Sequence, residues 1–468
     1  MPARKPSFAT AALTTLLLAA CAGPVAPMQP IKPPAEFKEA GLWQRAAATQ
    51  GSEVTVPTQW WTLFDDSTLN ALQQQLIIGN ENLKGTAAQV ASAQAAVSAS
   101  ESALWPTLSV GASASRAGSP GADGRPRSTT NSYGLTASAS WELDLWGRLG
   151  KAEQVAGARL QASRDDLSAA RLSAQASLVQ SYFSLRSAEV QQDLLARSIA
   201  AYQRSVALTQ ARYAAGVVSR SDVLQAETQL RSVQAQALDV AAQRAQLEHA
   251  VAVLLGQPPA ALSLASTAKL PAVPAVPSLL PTTLLERRPD IAAAERRVAA
   301  AYAQIGVADT AWFPSLTLGA TAGYRGSTLS SLVSAPNLAW SFGPSLTEAI
   351  FDSGARKLAS AQARASADEA AAGYRQTVLT ALQEVEDNLV LAHQLAGEAK
   401  LQTQAVDAAR RNLEIVQDQY KAGTVSFLNV ASAQTELLNS ELSLNALQTR
   451  QLLAVNQLLK NIAGTWRD

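Results

Sequence analysis

Ser102-Ala-Leu-Trp-Pro106-Thr-Leu-Ser-Val-Gly111 returns as Thr310-Ala-Trp-Phe-Pro314-Ser-Leu-Thr-Leu-Gly319, with Pro314 standing 208 positions after Pro106. A second landmark, Arg212-Tyr-Ala-Ala-Gly216-Val-Val-Ser219, returns as Gln419-Tyr-Lys-Ala-Gly423-Thr-Val-Ser426, with Tyr420 standing 207 positions after Tyr213. Two unrelated motifs displaced by nearly the same distance point to duplication of a whole unit.

Each copy carries two stretches of period-two alternation, the pattern of strands with unlike faces. Leu108, Val110, Ala112 and Ala114 alternate with Ser109, Gly111, Ser113 and Ser115, and a partner stretch runs Tyr133, Leu135, Ala137, Ala139, Trp141 and Leu143. The second copy repeats the pattern with Leu316, Leu318, Ala320, Ala322 and Tyr324, then Leu338, Trp340, Phe342 and Leu346. A half-buried soluble sheet alternates equally well. Strand lengths of about ten residues, a Ser/Thr/Gly face and interfacial aromatics (Tyr133, Trp141, Tyr324, Trp340) favour membrane strands. Four strands cannot close a barrel, and an open edge is not tolerated in hydrocarbon, so the chain is expected to oligomerise. Two chains give eight strands and a filled interior; three give twelve and a lumen.

The rest of each copy reads as long helices. Arg148 to Tyr213 contains no proline, room for a helix of about 100 Å at about 1.5 Å per residue. Leu195, Ile199, Tyr202 and Val206 mark a coiled-coil seam, matched on the return helix by Leu230, Val233, Ala237, Val240, Leu247, Val251 and Leu254 with one break at Arg244. The expected layout is a signal peptide over 1–20, a lipidated tether over 21–64, a first repeat over 65–257, a proline-rich linker over 258–281, a second repeat over 282–464 and a tail over 465–468. The first repeat has short helices, strands at about 107–117 and 132–145, and long helices at about 148–215 and 220–255. The second has strands at about 315–325 and 338–350 and long helices at about 354–422 and 427–463. The fold class is mainly α with a transmembrane β portion.

Arg4 and Lys5 followed by an apolar run to Ala20 read as a secretion signal, and Leu18-Ala19-Ala20-Cys21 resembles a lipobox with Cys21 as the acylated residue. Ordinary cleavage after Ala20-Cys21-Ala22 is the alternative. Two or three acyl chains, palmitate among them, anchor such a protein stably. The mature sequence has no apolar run of about 18 residues, hence no transmembrane helix.

With 38 basic against 37 acidic residues, the charge balance argues against a nucleic-acid surface. His249, His393 and Cys21 are the chain's full complement of histidine and cysteine, so no metal cluster or nucleophile-histidine pair assembles and no cofactor is expected. Glu142, Asp144, Glu348 and Asp352 at strand ends read as solvated or lumen-facing carboxylates in preference to an acid/base pair. The helical tips are the informative sites. Gly216 and Gly423 suit the left-handed turn that stops a helix, and Ser219-x-x-Asp222 has capping-box spacing, with Ser426-x-x-Asn429 in the second copy. Tyr213 and Tyr420, one turn before each glycine, are positioned to close a pore by packing and hydrogen bonding, or to act as plain packing residues. Asp222 reads evenly as a cap and as part of a gate.

The lipobox, Leu254-Leu255-Gly256-Gln257-Pro258, Leu285-Glu-Arg-Arg-Pro-Asp-Ile291 and the paired Tyr-x-x-Gly-x-x-Ser tips together resemble the NodT-type outer-membrane efflux lipoproteins, the TolC/OprM-like outer membrane factors. The resemblance covers nearly the whole chain. It implies a homotrimer with a twelve-stranded outer-membrane barrel continuous with a periplasmic α-barrel in a Gram-negative bacterium. It also implies coupling to a periplasmic adaptor and an inner-membrane transporter of the resistance-nodulation-division class, for drug efflux and antibiotic resistance. Docking opens the tips as an iris. TolC carries two aspartates where this chain has Asn429 and Ser432, so an acidic ring here falls to Asp222 or Asp418, and the tyrosines carry more of the closure. The exit duct of a type I protein-secretion system uses the same architecture and is the alternative; a periplasmic coiled-coil scaffold lacks the paired membrane-length hairpins.

Overall fold

A computed structural model of the chain describes residue 38 and residues 59–119, 128–274 and 288–462. The signal segment, Cys21, most of the tether, the end of the linker and the tail lie outside the described residues. Two units emerge, one gathering residues 104–155 and 298–372, the other 59–103, 156–297 and 373–462.

The first unit is built on an antiparallel sheet of four strands, β1 (Thr107–Ser119), β2 (Ser128–Leu143), β3 (Ser315–Gly326) and β4 (Leu338–Thr347), in that spatial order. The register separates its faces, except near the β1–β2 turn, where Arg116 pairs with Asn131 on the otherwise apolar side. Leu108 pairs with Ala139, Val110 with Ala137 and Ala112 with Leu135; Leu135 then pairs with Tyr324, Trp141 with Leu318 and Ala137 with Ala322; Ala322 pairs with Trp340 and Ala320 with Phe342. Paired residues project to the same side, so one apolar face runs unbroken across both copies. The opposite face is mostly Ser, Thr and Gly, with Ser109–Ser138 and Thr321–Ser341 hydroxyl pairs at 2.9 and 2.7 Å. The apolar face has no cover within the chain, since Val110, Trp340 and Phe342 are 71%, 75% and 68% exposed. Tyr133, Tyr324 and Trp340 fall toward the loop end of the sheet and Trp141 toward the end where helices enter.

At that helical end, chain direction is fixed by polar staples. The Asp144 carboxylate accepts from Leu149 N (2.9 Å) and Gly150 N (2.8 Å), satisfying first-turn donors of α3 (Arg148–Ala214). Glu142 accepts three bonds from the Arg148 fork, one from Nε and two from Nη2, and Asp352 accepts from the Arg356 backbone and guanidinium. Glu142, Asp144 and Asp352 are therefore caps or ion-pair partners. Trp146 stacks on Phe313 at 4.9 Å and donates to Pro314 O, while Trp141 donates to Leu104 O.

The second unit is helical. It holds α1 (Ser67–Gly79), α2 (Glu81–Ser102), most of α3, α4 (Arg220–Leu254), the start of α5 (Pro289–Thr310), most of α6 (Ala355–Lys421) and α7 (Phe427–Ile462). α3 and α6 have 67 residues each, and α4 and α7 have 35 and 36, so the duplication extends to element length. α5 stands between linker and β3 as α2 stands before β1.

Two segments outside the repeats pack in ways the sequence reading does not foresee. Trp60–Phe64, placed in the tether, form a 3-10 turn inside the core: Trp60 is fully buried and Phe64 meets Phe183 edge-to-face at 4.7 Å. Aromatic burial of this size overrides the irregular pattern around it. The linker, in its described part, is pinned. Arg186 and Arg244 straddle the buried Glu189, and this cluster holds the linker backbone through Leu264 N to Glu248, Thr267 N to Glu189, Arg186 to Ala265 O and Arg244 to Leu264 O. The seam break at Arg244 is thus a polar clamp within a coiled coil whose buried positions include Leu195, Tyr202, Val233 and Val240. At the α1–α4 crossing, Gly79 and Gly256 touch so closely that a Cβ on Gly256 would lie 2.0 Å from Gly79 O.

Candidate functional site

The tips lie where α3 turns into α4 and α6 into α7. Both turns are Schellman motifs: Gly216 N bonds Tyr213 O and Val217 N bonds Arg212 O, and in the second copy Gly423 N bonds Tyr420 O and Thr424 N bonds Gln419 O. Gly216 and Gly423 have φ of 73° and 78°, the left-handed conformation that a glycine adopts without a side-chain clash.

The two turns then diverge. At the first, Ser219 and Asp222 form a reciprocal capping box, Asp222 N donating to the Ser219 hydroxyl and Ser219 N to the Asp222 carboxylate. At the second, Ser426 donates to Asn429 Oδ1 at 3.1 Å. Asp222 is therefore a cap in this conformation, and Asp418 is an exposed partner of Lys421 at 2.9 Å.

The tyrosines are not equivalent. Tyr213 is 46% exposed, whereas Tyr420 is 4% exposed and packs with Phe427, Val430, Ala431 and Ala226. Its ring meets Phe427 edge-to-face at 5.8 Å. Within the chain the buried Tyr420 hydroxyl finds no partner among the described residues. What ties the copies together is Arg212, unnoticed in the sequence. Its Nη1 donates to Tyr420 O at 2.5 Å and its guanidinium lies 4.5 Å from the Tyr420 ring centroid. The available signal was an asymmetry between the copies, Arg212 standing where the second has Gln419. Further cross-copy bonds run from Gln229 to Ala431 O and from Gln434 to Ser205. Beside Tyr420 a groove of about 280 Å³ opens between α3 and α6, with Arg204, Lys421 and Leu208 in its walls.

Among the described residues no helix is long and apolar enough to cross a membrane, and no cluster of His, Cys, Asp or Glu could hold a metal ion. The arrangement offers a latch and a sheet with one lipid-compatible face.

Comparison with known proteins agrees over nearly the full length. The model of the outer membrane efflux protein family matches residues 72–257 and 280–464, one match per copy. The chain is 30% identical to the pyoverdine export outer membrane protein OpmQ of Pseudomonas putida over 463 residues, covering 97% of this chain and 96% of that one. It is 30% identical to nodulation protein T of Rhizobium leguminosarum bv. trifolii over 452 residues, covering 95% and 93%. The solved outer-membrane channel OprN superposes with a TM-score of 0.86 at 30% identity, covering 96% of this chain and all of that one.

Proposed function

The chain belongs to the outer membrane efflux protein family, and from that premise we propose that three copies form a passive exit duct, delivered to the outer membrane with Cys21 as its lipid anchor. The observation that carries this reading is the sheet. Its apolar face is continuous, exposed and aromatic, its opposite face is small and polar, and both β1 and β4 are edge strands. In hydrocarbon such edges must pair, and pairing β1 of one copy with β4 of the next closes twelve strands around a polar lumen. Tyr133, Tyr324 and Trp340 then face one membrane interface and Trp141 the other.

The duct performs no chemistry. A periplasmic adaptor and an inner-membrane transporter of the resistance-nodulation-division class supply the cargo, the specificity and the energy. Docking shifts a closed-to-open equilibrium at the tips, where Arg212 and Tyr420 hold the two copies of the unit together and Gly216 and Gly423 shape the turns. Tyr213, Asp222, Asp418 and Asn429 form the exposed rim that the partner meets.

A deletion strain challenged with antibiotics, dyes and solvents tests the export role. Increased susceptibility restored by the intact gene is expected. Unchanged susceptibility with loss of a secreted protein would replace the reading with a protein-secretion duct.

A further inference from the structure

We propose that Arg325 makes the outer mouth of the duct selective for anions; the proposal rests on the trimeric-duct reading above.

Along β3 the polar face runs Ser315, Thr317, Gly319, Thr321 and Gly323 from the helical end outward, and the next residue in step is Arg325. The register places Arg325 opposite Gly134, which is itself opposite Ser113, one row from the outer end of β3, beyond which the β1–β2 hairpin runs on to Ser119 opposite Ser128. Glycine leaves the guanidinium room on that face. Charged side chains on the polar face, among the described residues, are Glu142 and Arg325. Glu142 is neutralised by the Arg148 fork at 2.7 and 2.8 Å, whereas Arg325 is exposed and has no hydrogen bond or ion pair among the described residues. An unpaired guanidinium therefore projects from a wall of small and hydroxyl-bearing residues whose other charge, Glu142, is already paired.

Threefold symmetry sets three such cations at one height around the lumen. A ring of like charges at a pore mouth raises the local concentration of counter-ions and lowers that of co-ions. Cargo leaving by this mouth is favoured when it carries a carboxylate, phosphate or sulfonate. A built-in control lies near the loop end of the same sheet. Arg116 pairs with Asn131 but falls in step with Leu108, Val110, Ala112 and Ala114, on the apolar face outside the lumen.

The test is the chloride-to-potassium permeability ratio from reversal potentials in planar bilayers. Arg325→Ala lowers the ratio by about threefold at roughly 0.1 M salt, where charge acts over about 10 Å, and the effect shrinks near 1 M, where it acts over about 3 Å. Arg325→Glu inverts the preference, Arg325→Lys keeps it, and Arg116→Ala leaves it unchanged. Pores whose ratio is the same in wild type, Arg325→Ala and Arg325→Glu overturn the assignment, as does an equal effect of Arg116→Ala. Wild-type protein that forms no pores overturns the duct reading itself.

Discussion

Replacing Arg212 by alanine removes the link that joins the first tip to the second. Two interactions are lost together: the charge-assisted bond from Nη1 to Tyr420 O at 2.5 Å and the stacking of the guanidinium on the Tyr420 ring at 4.5 Å. A hydrogen bond from a charged donor contributes about 1.5–3 kcal/mol and a partly exposed cation–π contact about 0.5–1 kcal/mol. Arg212 is half-buried, so the low end applies, about 2 kcal/mol per chain. That is a factor of roughly 30 in the local equilibrium between latched and released tips. If three tips open in concert, the bias multiplies across the chains. The assay is single-channel recording with and without Arg212→Ala, alongside Arg212→Lys, which keeps charge but loses the planar fork. Longer open dwell times are expected in the order Arg212→Ala, Arg212→Lys, wild type, with Tyr420→Ala at least as open as Arg212→Ala. Identical gating in all four proteins refutes the latch.

Other perturbations have equally definite outcomes. Glu189→Ala leaves Arg186, itself 3% exposed, without its buried partner and frees Thr267 N, so thermal unfolding should show a loss of about 3–5 kcal/mol. Gly256→Ala forces a Cβ to within 2.0 Å of Gly79 O at a φ of 70°, so the yield of folded protein in the outer membrane should fall sharply while Gly85→Ala, with open space around it, is tolerated. Burial, and then the bond donated to Asp66, push the Tyr182 phenol up to about 12. Its folded value exceeds the unfolded value of about 10, so its contribution is complete below pH 10 and disappears as pH rises through 12, about 2–3 kcal/mol in all. Tyr182→Phe should flatten that part of the alkaline stability curve; an unchanged slope assigns the loss to other groups.

The features legible in the sequence were those with a period. Alternation gave the strands and their faces because Leu108 through Ala114 and Leu316 through Tyr324 keep one parity throughout, and the repeat offset gave the copy number. The seam was readable from Leu195 to Val206 for the same reason. Aperiodic features were not. Trp60 and Phe64 sit just beyond the tether in a stretch with no helical repeat, and only tertiary burial reveals them as core. Arg244 looked like a fault in the seam because its partners, Glu189 and Leu264 O, come from other elements. At the tips, glycines and capping spacing are local and were legible. The burial of Tyr420, the exposure of Tyr213 and the reach of Arg212 across 208 positions depend on how the two copies pack.

The most direct measurement combines native mass with conductance on one purified sample in a lipid bilayer. A single species of three chains giving discrete ion-conducting events, with conductance or open time increased by Arg212→Ala, is the predicted outcome. A monomeric or dimeric species that conducts nothing contradicts the twelve-strand closure on which the duct depends.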